Sequence, residues 1–126
     1  MKLEGRVIYK GSAEGIALVT SQPISFYGGV DPDSGKVIER GHELRNESVK
    51  GRILVFPHGK GSTVGSYVLY RLRKNGMAPA AIVNEECETI VAVGAIISGI
   101  PCVDKIDISE IRPNARVRVD GATVQL

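Results

Sequence analysis

Tryptophan is absent from the chain, and aromatic residues make up only 5% of it. A core built on large rings is excluded, so the interior must be aliphatic, drawn from Val, Ile, Leu and Ala. Cysteine is scarce too: Cys87 and Cys102 stand fifteen positions apart. That excludes a disulfide framework and a short-spaced pair of metal ligands. Neither sign of charge is in surplus, because 16 Lys and Arg face 14 Asp and Glu for a net charge of +2. Basic residues are scattered and no aromatic-basic ladder accompanies them, so no nucleic-acid partner is expected. The densest basic stretch, Arg71-Leu72-Arg73-Lys74, falls at the end of a predicted helix, where positive charge complements the dipole. No apolar run reaches membrane-spanning length; Thr89 to Pro101 comes nearest and is too short. The opening residues Met1 to Arg6 carry no apolar signal region, so a cytoplasmic protein is expected.

What remains is 126 residues, 43% hydrophobic and 24% charged, the make-up of one ordinary globular domain spanning 1–126. Residues 3–9 and 15–21 are strand-like runs, and Gly11 to Gly15 between them suggests a hairpin-like pair. Residues 22–35, with two prolines and three glycines, read as a long irregular loop. Loops of that length are usually functional or disordered, and Ile24, Phe26 and Tyr27 argue against disorder. A short strand is expected over 36–39. Ile53-Leu54-Val55-Phe56 is an apolar run ended by Pro57, which reads as a strand buried on both faces. A helix is predicted over about 64–74, with Val64, Val68 and Leu72 as its buried stripe and Asn75-Gly76 as its stop. Ala80 to Val83 is a second buried strand. Residues 90–97 suggest a second helix, with Glu88 near its start and Gly99 beyond its end, and 100–103 a short strand. Arg116 to Val119 and Thr123 to Leu126 alternate around Asp120-Gly121, the strongest hairpin signal present.

The segment Pro57 to Ser66 carries the most chemistry. A glycine-rich loop that leaves a buried strand and enters a helix aims backbone N–H groups outward at the positive end of the helix dipole. Such a place holds a phosphate or carboxylate, or steadies a developing oxyanion. Lys60 adds a full positive charge. A nucleotide-triphosphatase phosphate loop is excluded, because its first glycine position falls on Leu54 and Gly61, not Ser or Thr, follows Lys60. Ser62 has two readings. It caps the helix, since Ser is a preferred N-cap residue, or it acts as a nucleophile or base whose alkoxide is stabilised by the loop amides, the dipole and Lys60. His42 and His58 read as solvated loop histidines. Glu85, Glu86 and Glu88 read as a polar turn and an acidic helix start, and Asp31 and Asp33 as turn formers.

Four blocks in register carry a resemblance that runs from about residue 4 to the end. They are Pro23-Ile24-Ser25-Phe26-Tyr27-Gly28-Gly29-Val30-Asp31-Pro32, Val55 to Ser66, Ala78 to Val83 and Val93 to Pro101. The series resembles the small, swivelling-domain subunits of aconitase X hydro-lyases, and among them the archaeal group acting on mevalonate 5-phosphate. The resemblance implies an α/β fold of the swivelling β/β/α kind, like the mobile domain of aconitase. It implies a separate large subunit carrying an iron–sulfur cluster, with no cofactor or metal bound by this chain. The reaction implied is dehydration of mevalonate 5-phosphate, a small phosphorylated hydroxy acid, to trans-anhydromevalonate 5-phosphate. Ser62 matches the family's catalytic serine, the proton acceptor, and Gly59, Lys60, Gly61 and Thr63 match the loop around it. Many relatives have a second Ser where this chain has Thr63, which keeps the hydroxyl. Phe26, Tyr27, Gly28, Gly29 and Asp31 are the candidate contact with the large subunit, although Phe26 could equally fold onto its own core. Three alternatives stand beside this reading. One is a subunit of a hydroxyproline dehydratase of the same group. Another is a non-catalytic anion-binding module. The third, a phosphohistidine carrier domain, is opposed by the lack of a His where Ser62 stands.

Overall fold

The computed structural model describes residues 1–126. Its eight strands are β1 (Lys2–Glu4), β2 (Arg6–Tyr9), β3 (Ser12–Val19), β4 (Ile53–Phe56), β5 (Ala81–Asn84), β6 (Cys102–Asp104), β7 (Arg116–Asp120) and β8 (Thr123–Gln125). They form one sheet in the order β1-β8-β7-β3-β4-β5-β6-β2. β3 to β6 run parallel, and the pairs at either side of them are antiparallel. The two outermost strands, β1 and β2, are separated in the chain only by Gly5, so the sheet closes on itself. A side chain at Gly5 would meet the Asp104 carbonyl oxygen at 2.2 Å, and only a glycine lets the two backbones approach at the seam.

Closure divides the apolar residues into two cores. Ile53, Val55, Ala81, Val83, Val103, Val117, Val119 and Val124 fill the inside of the curled sheet. Leu54, Phe56, Ile82 and Cys102 face outward, where they pack against α2 (Gly65–Lys74) and α3 (Thr89–Ser98). Strands β4 and β5 are fully buried because each serves both cores with alternate residues, as a continuous aliphatic run predicts. Glu88 caps α3 by accepting the N–H groups of Ile90 and Val91, both at 2.8 Å, and Gly99 ends it in the left-handed region.

Several expectations are corrected. Residues 3–9 and 15–21 do not pair with each other. β2 pairs with β6, and β3 lies between β4 and β7, because closure needs the N-terminal run to bridge both edges of the sheet. The expected strand over 36–39 is replaced by single bridges, Lys36 to Ser48 and Val37 to Val30, inside the long connection from β3 to β4. The stripe of α2 is Val68, Leu69 and Leu72; Val64 precedes the helix and is 45% exposed. His42 is not solvated. It is buried, with Nε2–H donating to the Pro23 carbonyl at 3.2 Å and Nδ1 accepting the Leu44 N–H at 3.1 Å.

Candidate functional site

Strands β4 and β5 end side by side, and the loops that leave their carboxyl ends meet a third segment from the long connection. In α/β folds, open or closed, the carboxyl ends of parallel strands are where ligands are commonly held. Ile24 runs parallel to Gly59: the Ile24 N–H donates to the His58 carbonyl at 3.3 Å, and the Lys60 N–H donates to the Ile24 carbonyl at 3.0 Å. Beneath the loop, Gly59 presses on α3. A Cβ there would stand 2.4 Å from Glu88 Oε1 and 2.6 Å from Val91 Cγ2, so no larger residue fits without a shift. Gly61 turns the chain at φ +90° against Ser25, whose Oγ would meet a Cβ at 2.5 Å.

These contacts lift Ser62 to the surface. Its side chain is exposed, and its Oγ accepts the Val64 N–H at 3.2 Å. Its carbonyl accepts the Gly65 N–H at 2.9 Å, so a turn leads from Ser62 into α2. The N-cap position of the helix is Val64, which makes no side-chain cap bond. Ser62 thus takes one amide just ahead of the helix, a local serine turn and not the cap foreseen as one reading. The N–H groups of Gly61, Ser62 and Thr63 have no partner within the chain. Three consecutive free donors therefore precede the one amide that reaches the hydroxyl, at the positive end of α2.

The structure takes the charge of Lys60 elsewhere. Lys60 Nζ donates to Glu39 Oε2 at 3.0 Å, and the carboxylate's other oxygen, Oε1, is shielded from solvent without a donor. Glu39 also sits over the Gly29 backbone, whose carbonyl accepts the N–H groups of Ile38 and Glu39. An open cleft of about 360 Å³ lies between Lys60, Glu39, Ser25, Tyr27, Gly28 and Gly61. Nothing in the local pattern singles out Glu39, because its partner is 21 residues away. His58, exposed beside the loop, donates Nδ1–H to the Gly59 carbonyl at 2.8 Å.

The aromatic pair on the long loop is split. Phe26 is 1% exposed and stacks edge-on against Phe56 at 5.9 Å, so it belongs to the chain's own core and not to a contact surface. Tyr27 is 56% exposed. The backbone reverses between them, with α1 (Phe26–Gly29) a single distorted turn in which Tyr27 and Gly28 leave helical dihedrals. Gly28 is exposed, whereas Gly29 is buried. Asp31 is tied into its turn by the Asp33 N–H and the Ser34 hydroxyl, which hold its carboxyl below the usual range. Tyr27, Ile38, Val64 and Tyr67 form an exposed apolar rim around a groove of about 230 Å³ beside Ser62's turn.

No three His, Cys, Asp or Glu side chains come together as a metal site. Cys87 and Cys102 are free thiols, and a thiolate-held cluster generally takes more than a pair, so the donors of this chain do not fit one. No helix is long and apolar enough to cross a membrane.

The family model described as Aconitase X swivel domain matches residues 2–126. The chain is similar to the phosphomevalonate dehydratase small subunit of Thermococcus sibiricus, 60% identical over 96% of this chain and 93% of that one. It is 57% identical to the protein of that name from Methanocaldococcus jannaschii, over 98% of this chain and 94% of the other. Among solved structures it resembles the crystal structure of Thermococcus kodakaraensis aconitase X in its holo-form. The TM-score is 0.97 at 54% identity, covering 99% of this chain and 97% of that one.

Proposed function

The chain belongs to the aconitase X swivel-domain family, and from that membership we propose that it is the small subunit of a hydro-lyase that dehydrates mevalonate 5-phosphate to trans-anhydromevalonate 5-phosphate. Relatives named phosphomevalonate dehydratase small subunit align over nearly its whole length. Their name implies a larger partner, and activity belongs to the pair.

Dehydration of a hydroxy acid removes a weakly acidic C–H proton and expels a hydroxide. The observation that carries our reading of this chain's share is the exposed Ser62 hydroxyl among free amides at the start of α2. A serine oxygen becomes basic only where its alkoxide is stabilised. The Val64 N–H already points at it, and the dipole of α2 favours negative charge there. Ser62 as alkoxide takes the proton, and Gly59, Gly61 and Thr63 hold the loop around it. Lys60 uses one of its three ammonium protons on Glu39, leaving donors at the mouth of the cleft for an anionic group of the substrate. This chain's thiols do not fit a cluster, so an iron–sulfur centre would be held by the large subunit, where it would supply Lewis-acid chemistry to the leaving hydroxyl. The partner is placed over the rim of Tyr27, Ile38, Val64 and Tyr67, which closes Ser62 into a shared site. A phosphorylated substrate does not cross membranes freely, which supports a cytoplasmic setting.

The test is turnover by the reconstituted pair with mevalonate 5-phosphate and, separately, hydroxyproline stereoisomers. Turnover with the first, lost in Ser62→Ala, is the expected result. Turnover only with hydroxyproline would change the substrate, and near-normal turnover by Ser62→Ala would remove the serine from the chemistry.

A further inference from the structure

Cys87 and Cys102, fifteen positions apart in the chain, come together with their sulfurs at 3.9 Å. Cys102 opens β6 and is buried, while Cys87 lies half-buried in the turn from β5 to α3. The hydrogen bonds order the pair. Cys87 Sγ–H donates to the Glu88 carbonyl at 3.7 Å, which leaves the Cys87 sulfur free to accept from Cys102. That bond and its burial push the Cys102 thiol up, so it stays protonated. The Cys87 N–H is anchored on Asp104 Oδ2 at 2.8 Å. The next residue is Glu88, whose carboxylate caps α3 and lies directly against Gly59, three residues before Ser62.

We propose that Cys87 and Cys102 are a reversible oxidative modification site, at which a peroxide-class oxidant converts the two thiols into a disulfide and shifts the loop that carries Ser62. Cys87, the more exposed of the two, loses its proton and its sulfur attacks one peroxide oxygen. The O–O bond breaks, Cys87 becomes a sulfenic acid, and the departing hydroxide takes up the proton as water. The Cys102 sulfur then displaces the sulfenic hydroxyl. The S–S bond forms, the S–O bond breaks, and the Cys102 proton leaves with that hydroxyl as a second water. Two thiols and one hydrogen peroxide give one disulfide and two waters. A disulfide is about 2 Å long, so the sulfurs must close by roughly 2 Å. Cys102 is held on both sides, opposite Ile82 of β5 and Tyr9 of β2, so the turn of Cys87 does the moving. Glu88 moves with it, against a Gly59 that has no slack.

The chemical site stands on geometry alone; its effect on turnover rests on the reading of Ser62 given above. The experiment therefore reads them separately. The full small subunit is treated with hydrogen peroxide, the oxidant is removed, and the chain is mapped by mass spectrometry before it is combined with untreated large subunit. The expected product is lighter by two hydrogens, with peptides containing Cys87 and Cys102 joined, and a dithiol reverses it. Amide exchange at Ile24 and Lys60, whose N–H groups tie the loop to the long connection, rises on oxidation, and turnover falls about 100-fold, as a misplacement near 1 Å predicts. Cys102→Ala keeps turnover, forms no disulfide and accumulates the sulfenic acid at Cys87; Cys87→Ser is unaffected by peroxide. Failure of the two peptides to join overturns the site. Joining without change in exchange at Ile24 and Lys60 overturns the link to the loop, whatever the turnover shows.

Discussion

Lys60 and Glu39 form an ion pair at 3.0 Å that ties the loop of Ser62 to the segment lying over Gly29. Both partners reach solvent, so the pair adds at most about 1 kcal/mol to stability. Its importance is electrostatic and local. Replacing Lys60 by Met should lower the melting temperature by no more than about 5 °C and reduce kcat/KM about tenfold or more through loss of an ammonium at the cleft proposed for the substrate. Steady-state kinetics and a melting curve on the reconstituted pair distinguish this from a folding defect. An unchanged kcat/KM would mean that the ammonium serves only Glu39.

Ser62→Ala removes one hydrogen bond from an exposed turn. The stability cost should stay near 1 kcal/mol or below, while kcat falls by about 100-fold or more, the range expected when a proton-transfer group is deleted. Size-exclusion chromatography should show the pair still assembled.

Gly59 has no room for a methyl group beside Glu88 and Val91. Gly59→Ala should cost about 1–3 kcal/mol by overpacking. Glu88→Ala alone should cost about 1 kcal/mol through loss of the α3 cap. The double variant should be more stable than the sum of the two, because shortening Glu88 frees part of the space. Denaturant melts of all four forms test this, and strict additivity would contradict the contact.

Arg6 grips the buried carboxylate of Asp104 with two bonds, at 3.0 and 2.8 Å, across the seam where the sheet closes. Burial alone would raise the Asp104 carboxyl. The bonds from Arg6 and the Cys87 N–H, with the nearby guanidinium charge, outweigh it and hold the carboxyl below the usual range. A carboxyl whose pKa is lower in the folded chain contributes stability that is fully present above the ordinary Asp value of about 3.9. That contribution disappears as the pH falls from there through the lower folded value. Melting temperature should therefore drop steeply below about pH 4. Arg6→Gln should lower the melting temperature at neutral pH and flatten the acid dependence. An unaltered pH profile in that variant would refute the linkage.

Charging Tyr27 should disrupt assembly, since the ring stands out from the surface at the rim of the groove. Tyr27→Asp should weaken association with the large subunit by about 2 kcal/mol or more if the residue is an anchor, with the isolated chain folded as before. Titration calorimetry with the large subunit measures it. Phe26 offers no such test, because its replacement would open the chain's own core.

Reading the chain in order was enough for the elements with local signals. The aliphatic runs of β4 and β5, the Asn75-Gly76 and Gly99 stops, Glu88 at the head of α3 and the Asp120-Gly121 hairpin all come from periodicity and end chemistry within a few residues. The same holds for the loop of Ser62, because strand, glycine-rich turn and helix are consecutive in the chain. Val64 shares the helical spacing of the buried stripe yet lies outside it, because spacing does not say at which residue a helix begins. The burial of His42 has no local signal, because its carbonyl partner, Pro23, is nineteen residues away.

The sequence by itself determined an aliphatic α/β domain, the strand–loop–helix that presents Ser62, and through four ordered blocks its family. Only the tertiary structure decided that β1 and β2 seal opposite edges of one sheet, that Phe26 turns inward while Tyr27 turns out, that Lys60 answers to Glu39, and that two distant thiols meet. The physical reason is common to all four. Each is a contact between segments brought together by sheet closure and core packing, and nothing in the residues adjacent to either partner encodes the distance between them.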